Sequence, residues 1–173
     1  MSFKLKPSLL LLVVIILAIS CKNNQESKTF EIVQKKPIPV YDFDGFEHIL
    51  QYEDEKTYVV NFWATWCRPC IKELPYFEKL RENFKDTGVE VILVSLDFPE
   101  NMESHVIPFI ERHNLKSKII LLDDVDSNRW IPLVSDEWSG AIPATVIYNK
   151  NGRNFYERTF TYEELITELN TLL

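Results

Sequence analysis

The stretch Trp63-Ala64-Thr65-Trp66-Cys67-Arg68-Pro69-Cys70 constrains this chain more than any other. The run Tyr58 to Trp63 before it predicts a buried strand, and Pro69 suits the first turn of a helix. Two cysteines three positions apart across such a junction are close enough to close a small disulfide ring. The first stands where unpaired backbone N–H groups and the helix dipole favour negative charge. Cys67 is therefore expected as a thiolate, with Arg68 adding positive charge beside it. A dithiol that cycles between reduced and oxidised forms is the chemistry this pattern suits.

The flanking sequence predicts an α/β domain. Tyr58 to Trp63 carries β-branched and aromatic residues on both faces, as a central strand covered from both sides requires. Ile71, Leu74, Phe77, Leu80 and Phe84 then recur at helical spacing, with Pro75 inside the helix. Val89 to Leu96 and Lys118 to Leu122 read as further buried strands. Between them a helix over Asn101 to His113 is started late or kinked by Pro108. Val40 to Phe43 is expected as an edge strand and Phe46 to Tyr52 as a short helix.

Asp124, Asp126 and Asn128 alternate like calcium ligands, but Arg129 and Ser135 stand where such a loop needs Gly and Glu. An acidic turn capping a helix over Asn128 to Val134 is the expected reading. Ala144 to Tyr148 and Asn154 to Phe160 flank Asn151-Gly152, a strong hairpin signal. Thr161 and Glu164 form a capping box for a last helix faced by Tyr162, Leu165, Ile166, Leu169 and Leu172. Strands alternating with helices, then a hairpin and a closing helix, give a central mixed β-sheet flanked by helices on both faces.

The N-terminus is expected to be a targeting segment. Lys4 and Lys6 precede the apolar run Leu9 to Ile19, too short to span a membrane but suited to a secretory signal over residues 1–20. Ser20-Cys21 followed by polar residues resembles a bacterial lipoprotein processing site, with Cys21 as the lipidated residue. The pattern departs at Ala18, where Leu is favoured. Residues 21–37 then form a polar tether, and 38–173 the folded domain. Removing residues 1–20 takes away two lysines and no acids, so the formal net charge moves from −7 to −9. Such an acidic domain is a poor candidate for binding a phosphate backbone, and no nucleic-acid partner is expected. With Cys21 assigned to lipid, Cys67 and Cys70 are two of the four ligands a structural zinc needs, and His48, His105 and His113 lack the spacing to complete it. Neither a metal nor a cofactor is expected.

Four features together resemble the thioredoxin-like thiol-disulfide oxidoreductases, in particular membrane-anchored bacterial members of the TlpA/ResA type. They are Trp66-Cys67-Arg68-Pro69-Cys70 after a buried strand, Pro75, Ile142-Pro143 before the penultimate strands, and the hairpin. The resemblance covers roughly residues 40 to 173 and implies a thioredoxin fold. It also implies a cis Pro143 beside the disulfide, with the Ile142 backbone free to pair with an extended substrate. Thioredoxin itself has an acid two places before the position of Trp63, where this chain has Asn61, and an amide cannot accept a proton. Glu73, three residues after Cys70, matches a glutamate of the TlpA/ResA type. It is expected near the pair, partly buried and of raised proton affinity, as a general base.

The mechanism expected is attack by Cys67 on a protein disulfide and resolution by Cys70, with Cys67 at the exposed helix start. Trp66 either shields the disulfide and meets substrate or is a packed core tryptophan, while Trp130 and Trp138 are expected in packing or at the rim near Gly140. The resemblance implies a reductant in the cell envelope, facing the periplasm, which serves for instance cytochrome c maturation and draws electrons from a membrane donor protein. A disulfide oxidase or isomerase would use the same residues. A peroxidase would want Thr three places before its cysteine, where Ala64 stands, and a copper carrier a longer cysteine spacing.

Overall fold

The computed structural model describes residues 38–173. The expected signal, the lipidated Cys21 and the tether lie outside the described residues. Six strands form one sheet in the order β1-β4-β3-β2-β5-β6: β1 Val40–Tyr41, β2 Thr57–Trp63, β3 Val89–Ser95, β4 Lys118–Leu122, β5 Ala144–Asn149 and β6 Gly152–Tyr156. The first four are mutually parallel, and β5 runs antiparallel to both β2 and β6. The sheet is therefore mixed.

All seven residues of β2 are buried, because the strand lies inside the sheet with both faces covered. Its side chains alternate. Val59 and Trp63 enter a core shared with Leu74, Phe77 and Leu80 of helix α2 (Arg68–Phe84), Phe109 and Ile110 of α3 (Ile107–Arg112), and Leu165 and Leu169 of α5 (Tyr162–Asn170). Tyr58, Val60 and Phe62 enter the opposite core with Phe43 and Phe46 of α1 (Phe43–Phe46) and Trp130 and Val134 of α4 (Ser127–Val134). Helices thus cover both faces, as the sequence predicts.

Several boundaries differ from expectation, each for a local reason. The first helix starts at Phe43 rather than Phe46, because Asp42 caps it by accepting the Gly45 N–H, and a 3-10 turn over Glu47–Leu50 follows. Ahead of Pro108 the chain forms a 3-10 turn at Pro99–Asn101 and a wide turn at Met102–Val106, so a regular helix begins only at Ile107. At α4 the acidic turn caps nothing with Asp126, whose side chain makes no cap bond. Asp124 instead accepts the N–H groups of Phe43 and Asp126 and pairs with Arg129. Strand β6 ends at Tyr156 rather than Phe160, since residues 157–160 turn toward other partners described below. The capping box at Thr161 and Glu164 forms as expected.

Candidate active site

Cys67 is the N-cap of α2, with Pro69 in the first turn, so its side chain meets the unpaired N–H groups there. Cys67 Sγ lies 3.3 Å from the Cys70 backbone nitrogen, which donates to it. The two cysteines form a disulfide with their Cα atoms 5.3 Å apart. Cys70 is 0% exposed and Cys67 5%. Cys67 is thus the less buried of the two, but it is nearly covered rather than standing at an open helix start. One reason is the Ile142–Pro143 segment: the peptide is cis, and the Ile142 carbonyl oxygen lies 3.7 Å from Cys67 Sγ.

Trp66 is 63% exposed, which overturns the core alternative for it. Arg68 is exposed at the first helical position, and Pro75 lies inside α2 on its exposed side without ending the helix.

Glu73 is buried more deeply than the sequence predicts, at 1% exposure. It lies on the inner side of α2, one residue from Leu74, so its carboxylate enters the core beside β2. Oε1 accepts from Asn61 Nδ2 at 3.0 Å, and Oε2 from the Phe160 N–H at 2.8 Å. Burial pushes the carboxyl up to about 7, opposed by the hydrogen bonds from Phe160 and Asn61 and by the charge of Arg158. A group poised there can exchange a proton near neutral pH.

Two further acids hold the loops around the disulfide, and sequence reasoning missed both. Asp97, just past β3, is buried and accepts the Thr65 N–H at 2.9 Å, the Thr65 hydroxyl at 2.6 Å and the Ser95 hydroxyl at 2.8 Å. It fixes the turn that leads into Cys67. Phe98, the next residue, is 66% exposed. Glu157 accepts the N–H groups of Ser139 and Ala141, at 3.0 and 3.1 Å, and the Ser139 hydroxyl. Those bonds hold its carboxyl below the usual range, the Ser139 hydroxyl first. Trp138 donates its indole N–H to the Ala141 carbonyl, so it pins the segment that delivers Pro143, while Trp130 packs near-parallel on Phe43. Gly140 has φ +93°, and a Cβ there would meet Ile131 Cδ1 at 3.0 Å, so the turn requires glycine.

The AhpC/TSA family matches residues 40–153, about two thirds of the sequence. The chain belongs to that family. A thiol-disulfide oxidoreductase ResA of Geobacillus thermodenitrificans is 31% identical over 134 residues, spanning 76% of this chain and 71% of the relative. A ResA of Bacillus cereus is 29% identical over 114 residues, 66% of this chain and 61% of that one. Among solved structures, a thioredoxin-related protein of Neisseria meningitidis serogroup B superposes with a TM-score of 0.60 at 23% identity, covering 70% of this chain and 88% of that chain. That likeness is one of fold. The disulfide of a Cys-x-x-Cys pair and the named relatives together identify an enzyme of thiol-disulfide exchange.

Proposed function

We propose that this oxidoreductase is exported, tethered to the membrane through Cys21, and reduces protein disulfides in the cell envelope, with c-type cytochrome haem-attachment cysteines as one substrate class. The export and tethering rest on Lys4, Lys6, the apolar run and Ser20-Cys21. The observation that carries the catalytic assignment is the asymmetry of the pair: Cys67 caps the helix and is the less buried of the two, while Cys70 is fully enclosed.

In the reduced enzyme Cys67 is the nucleophile. Its thiolate attacks one substrate sulfur, which breaks the substrate disulfide, and the second substrate sulfur leaves and takes a proton. Glu73 accepts the Cys70 proton, and Cys70 attacks Cys67 Sγ. That attack breaks the bond between Cys67 and the substrate sulfur it had captured, which leaves and takes up a proton, and the enzyme is left with the Cys67–Cys70 disulfide. Two electrons have passed to substrate, and a dithiol donor protein in the membrane restores them. Trp66, Arg68, Ile142 and Pro143 form the contact surface, with the Ile142 backbone at the sulfur supporting pairing to an extended segment.

A Cys70→Ser variant tests this assignment. It should accumulate mixed disulfides with envelope proteins, all through Cys67 and all released by reductant. Absence of Cys67 adducts, with wild-type exchange intact, would reject Cys67 as nucleophile. A redox titration of the pair separates a reductant from an oxidase or isomerase.

A further inference from the structure

Asn61 lies in the middle of β2, on the face that carries Val59 and Trp63 toward α2, and is wholly buried. Its amide nitrogen donates to two oxygens, each at 3.0 Å: Oε1 of Glu73, and Oγ1 of Thr145, its cross-strand partner on β5. Its carbonyl oxygen is buried with no hydrogen-bond partner. Leaving such an acceptor unpaired is costly, so the donor bonds on the other atom must outweigh it. The opposite orientation would set that oxygen against the Glu73 carboxylate, acceptor facing acceptor. The orientation present therefore suits an ionised Glu73, and the same amide nitrogen also donates to the Thr145 hydroxyl.

We propose that Asn61 is a positioning residue for the proton-transfer step, which fixes Oε1 of Glu73 and stabilises its ionised form inside a site whose burial opposes charge. This rests on the reading of Glu73 as the acceptor of the Cys70 proton. In that step the Cys70 S–H bond breaks, an O–H bond forms on Glu73, and the sulfur electron pair attacks Cys67 Sγ, breaking its bond to the substrate sulfur, which leaves as thiolate. Glu73 must be ionised beforehand, and the Asn61 N–H favours that state. The amide also explains how β2 and α2 share one acid. A carboxylate at position 61 would stand within hydrogen-bond distance of Glu73, and two such groups do not ionise together.

Among the described residues, few other groups bear on Glu73. The connection after β6 supplies the Phe160 N–H and Arg158, and Arg158 is itself bound to Glu164 and Glu168 of α5. On α2 the exposed Lys72 is adjacent in sequence, and the reduced cysteines add thiols one turn earlier.

The test titrates Glu73 directly in the oxidised protein by its infrared carboxyl band, assigned by its loss in Glu73→Gln. The wild-type midpoint near 7 should rise by about one pH unit in Asn61→Ala, a tenfold gain in proton affinity. Asn61→Asp, which keeps the side-chain shape and answers the case where Asn61→Ala does not fold, should also raise it. The pH profile of disulfide exchange should move with the band, and Asn61→Ala should move nothing further in a Glu73→Gln background. An unmoved midpoint overturns the hold of Asn61 on Glu73. A moved midpoint with an unmoved exchange profile shows that the hold exists but overturns its part in the reaction, and with it the reading of Glu73 as base.

Discussion

Asp97 accepts both the backbone N–H and the hydroxyl of Thr65, 32 residues away, and so clamps the end of β3 to the turn between β2 and the disulfide. The same carboxylate takes the Ser95 hydroxyl, which leaves three donors dependent on one buried side chain. Asp97→Ala strands all three and should lower unfolding stability by about 3 kcal/mol, read from denaturant midpoints. Asp97→Asn keeps one acceptor oxygen and should lose about half as much. Because the clamp positions the turn without exchanging protons with the sulfurs, Asp97→Asn should slow exchange by a similar factor across pH, with the profile unshifted.

Glu73 makes stability depend on pH in the opposite sense from a paired surface acid. Its folded value, about 7, lies above the ordinary glutamate value, so the folded protein holds this proton where the unfolded chain has released it. The resulting stability is fully present below about pH 4.5 and is lost as pH rises through about 7. A raise of this size corresponds to an order of 3 kcal/mol. The difference in stability between the oxidised wild type and Glu73→Gln should therefore fall between pH 5 and 8.5. A difference that stays level over that range would contradict the burial of an acid that ionises there.

Trp66 and Phe98 each follow one partner of the Thr65–Asp97 clamp and are largely exposed, so neither supports the core. Trp66→Ala and Phe98→Ala should leave the unfolding midpoint within about 0.5 kcal/mol of wild type. If these rings receive protein substrate, each substitution should raise KM for a disulfide-bonded protein several-fold and leave turnover of a small disulfide unchanged. Equal losses on both substrates would place their effect on the sulfurs instead.

Much of this arrangement is written locally in the sequence. The buried run of β2, the helical stripe through Leu74, Phe77 and Leu80, and the Thr161–Glu164 box each depend on neighbours a few positions apart. The dithiol could be read for the same reason, while Glu73, three residues further along the helix, is singled out through the resemblance. Asp97 and Glu157 could not, because their partners are hydroxyls and backbone N–H groups in distant loops, and a backbone donor has no residue signature. The hairpin shows a subtler limit. Asn151-Gly152 marks it correctly, yet Gly152 pairs with Asn149, so Lys150 and Asn151 are the turn. There Asn149 bonds the Asn151 N–H with its own side chain and reaches the Leu172 carbonyl, so the signal of one residue pair stood near the work of another. At Asp42 the helix signal was present, an N-cap acid three residues before Gly45, and it sets the start of α1.

Glu157 provides the last test, since it governs the approach to Pro143 without touching the sulfurs. Its carboxylate gathers the Ser139 and Ala141 N–H groups and the Ser139 hydroxyl, while Trp138 holds the Ala141 carbonyl from the other side. The next residue is Ile142, whose carbonyl oxygen faces Cys67 Sγ at 3.7 Å. Glu157→Ala removes these three bonds and should cost about 1–2 kcal/mol of stability, because the bonds are partly exposed to water. The loosened Ile142 backbone is then a poorer edge for an extended substrate, so exchange with a protein disulfide should fall about tenfold. A small disulfide, which needs no backbone pairing, should react nearly as in wild type. Since the carboxyl of Glu157 is held below the usual range, its contribution is present above the unfolded value near pH 4 and is lost as pH falls through the lower folded one. Wild type and Glu157→Ala should therefore converge in stability in strong acid. Equal slowing on both substrates would show that the segment acts on the disulfide itself and not on the docking of substrate.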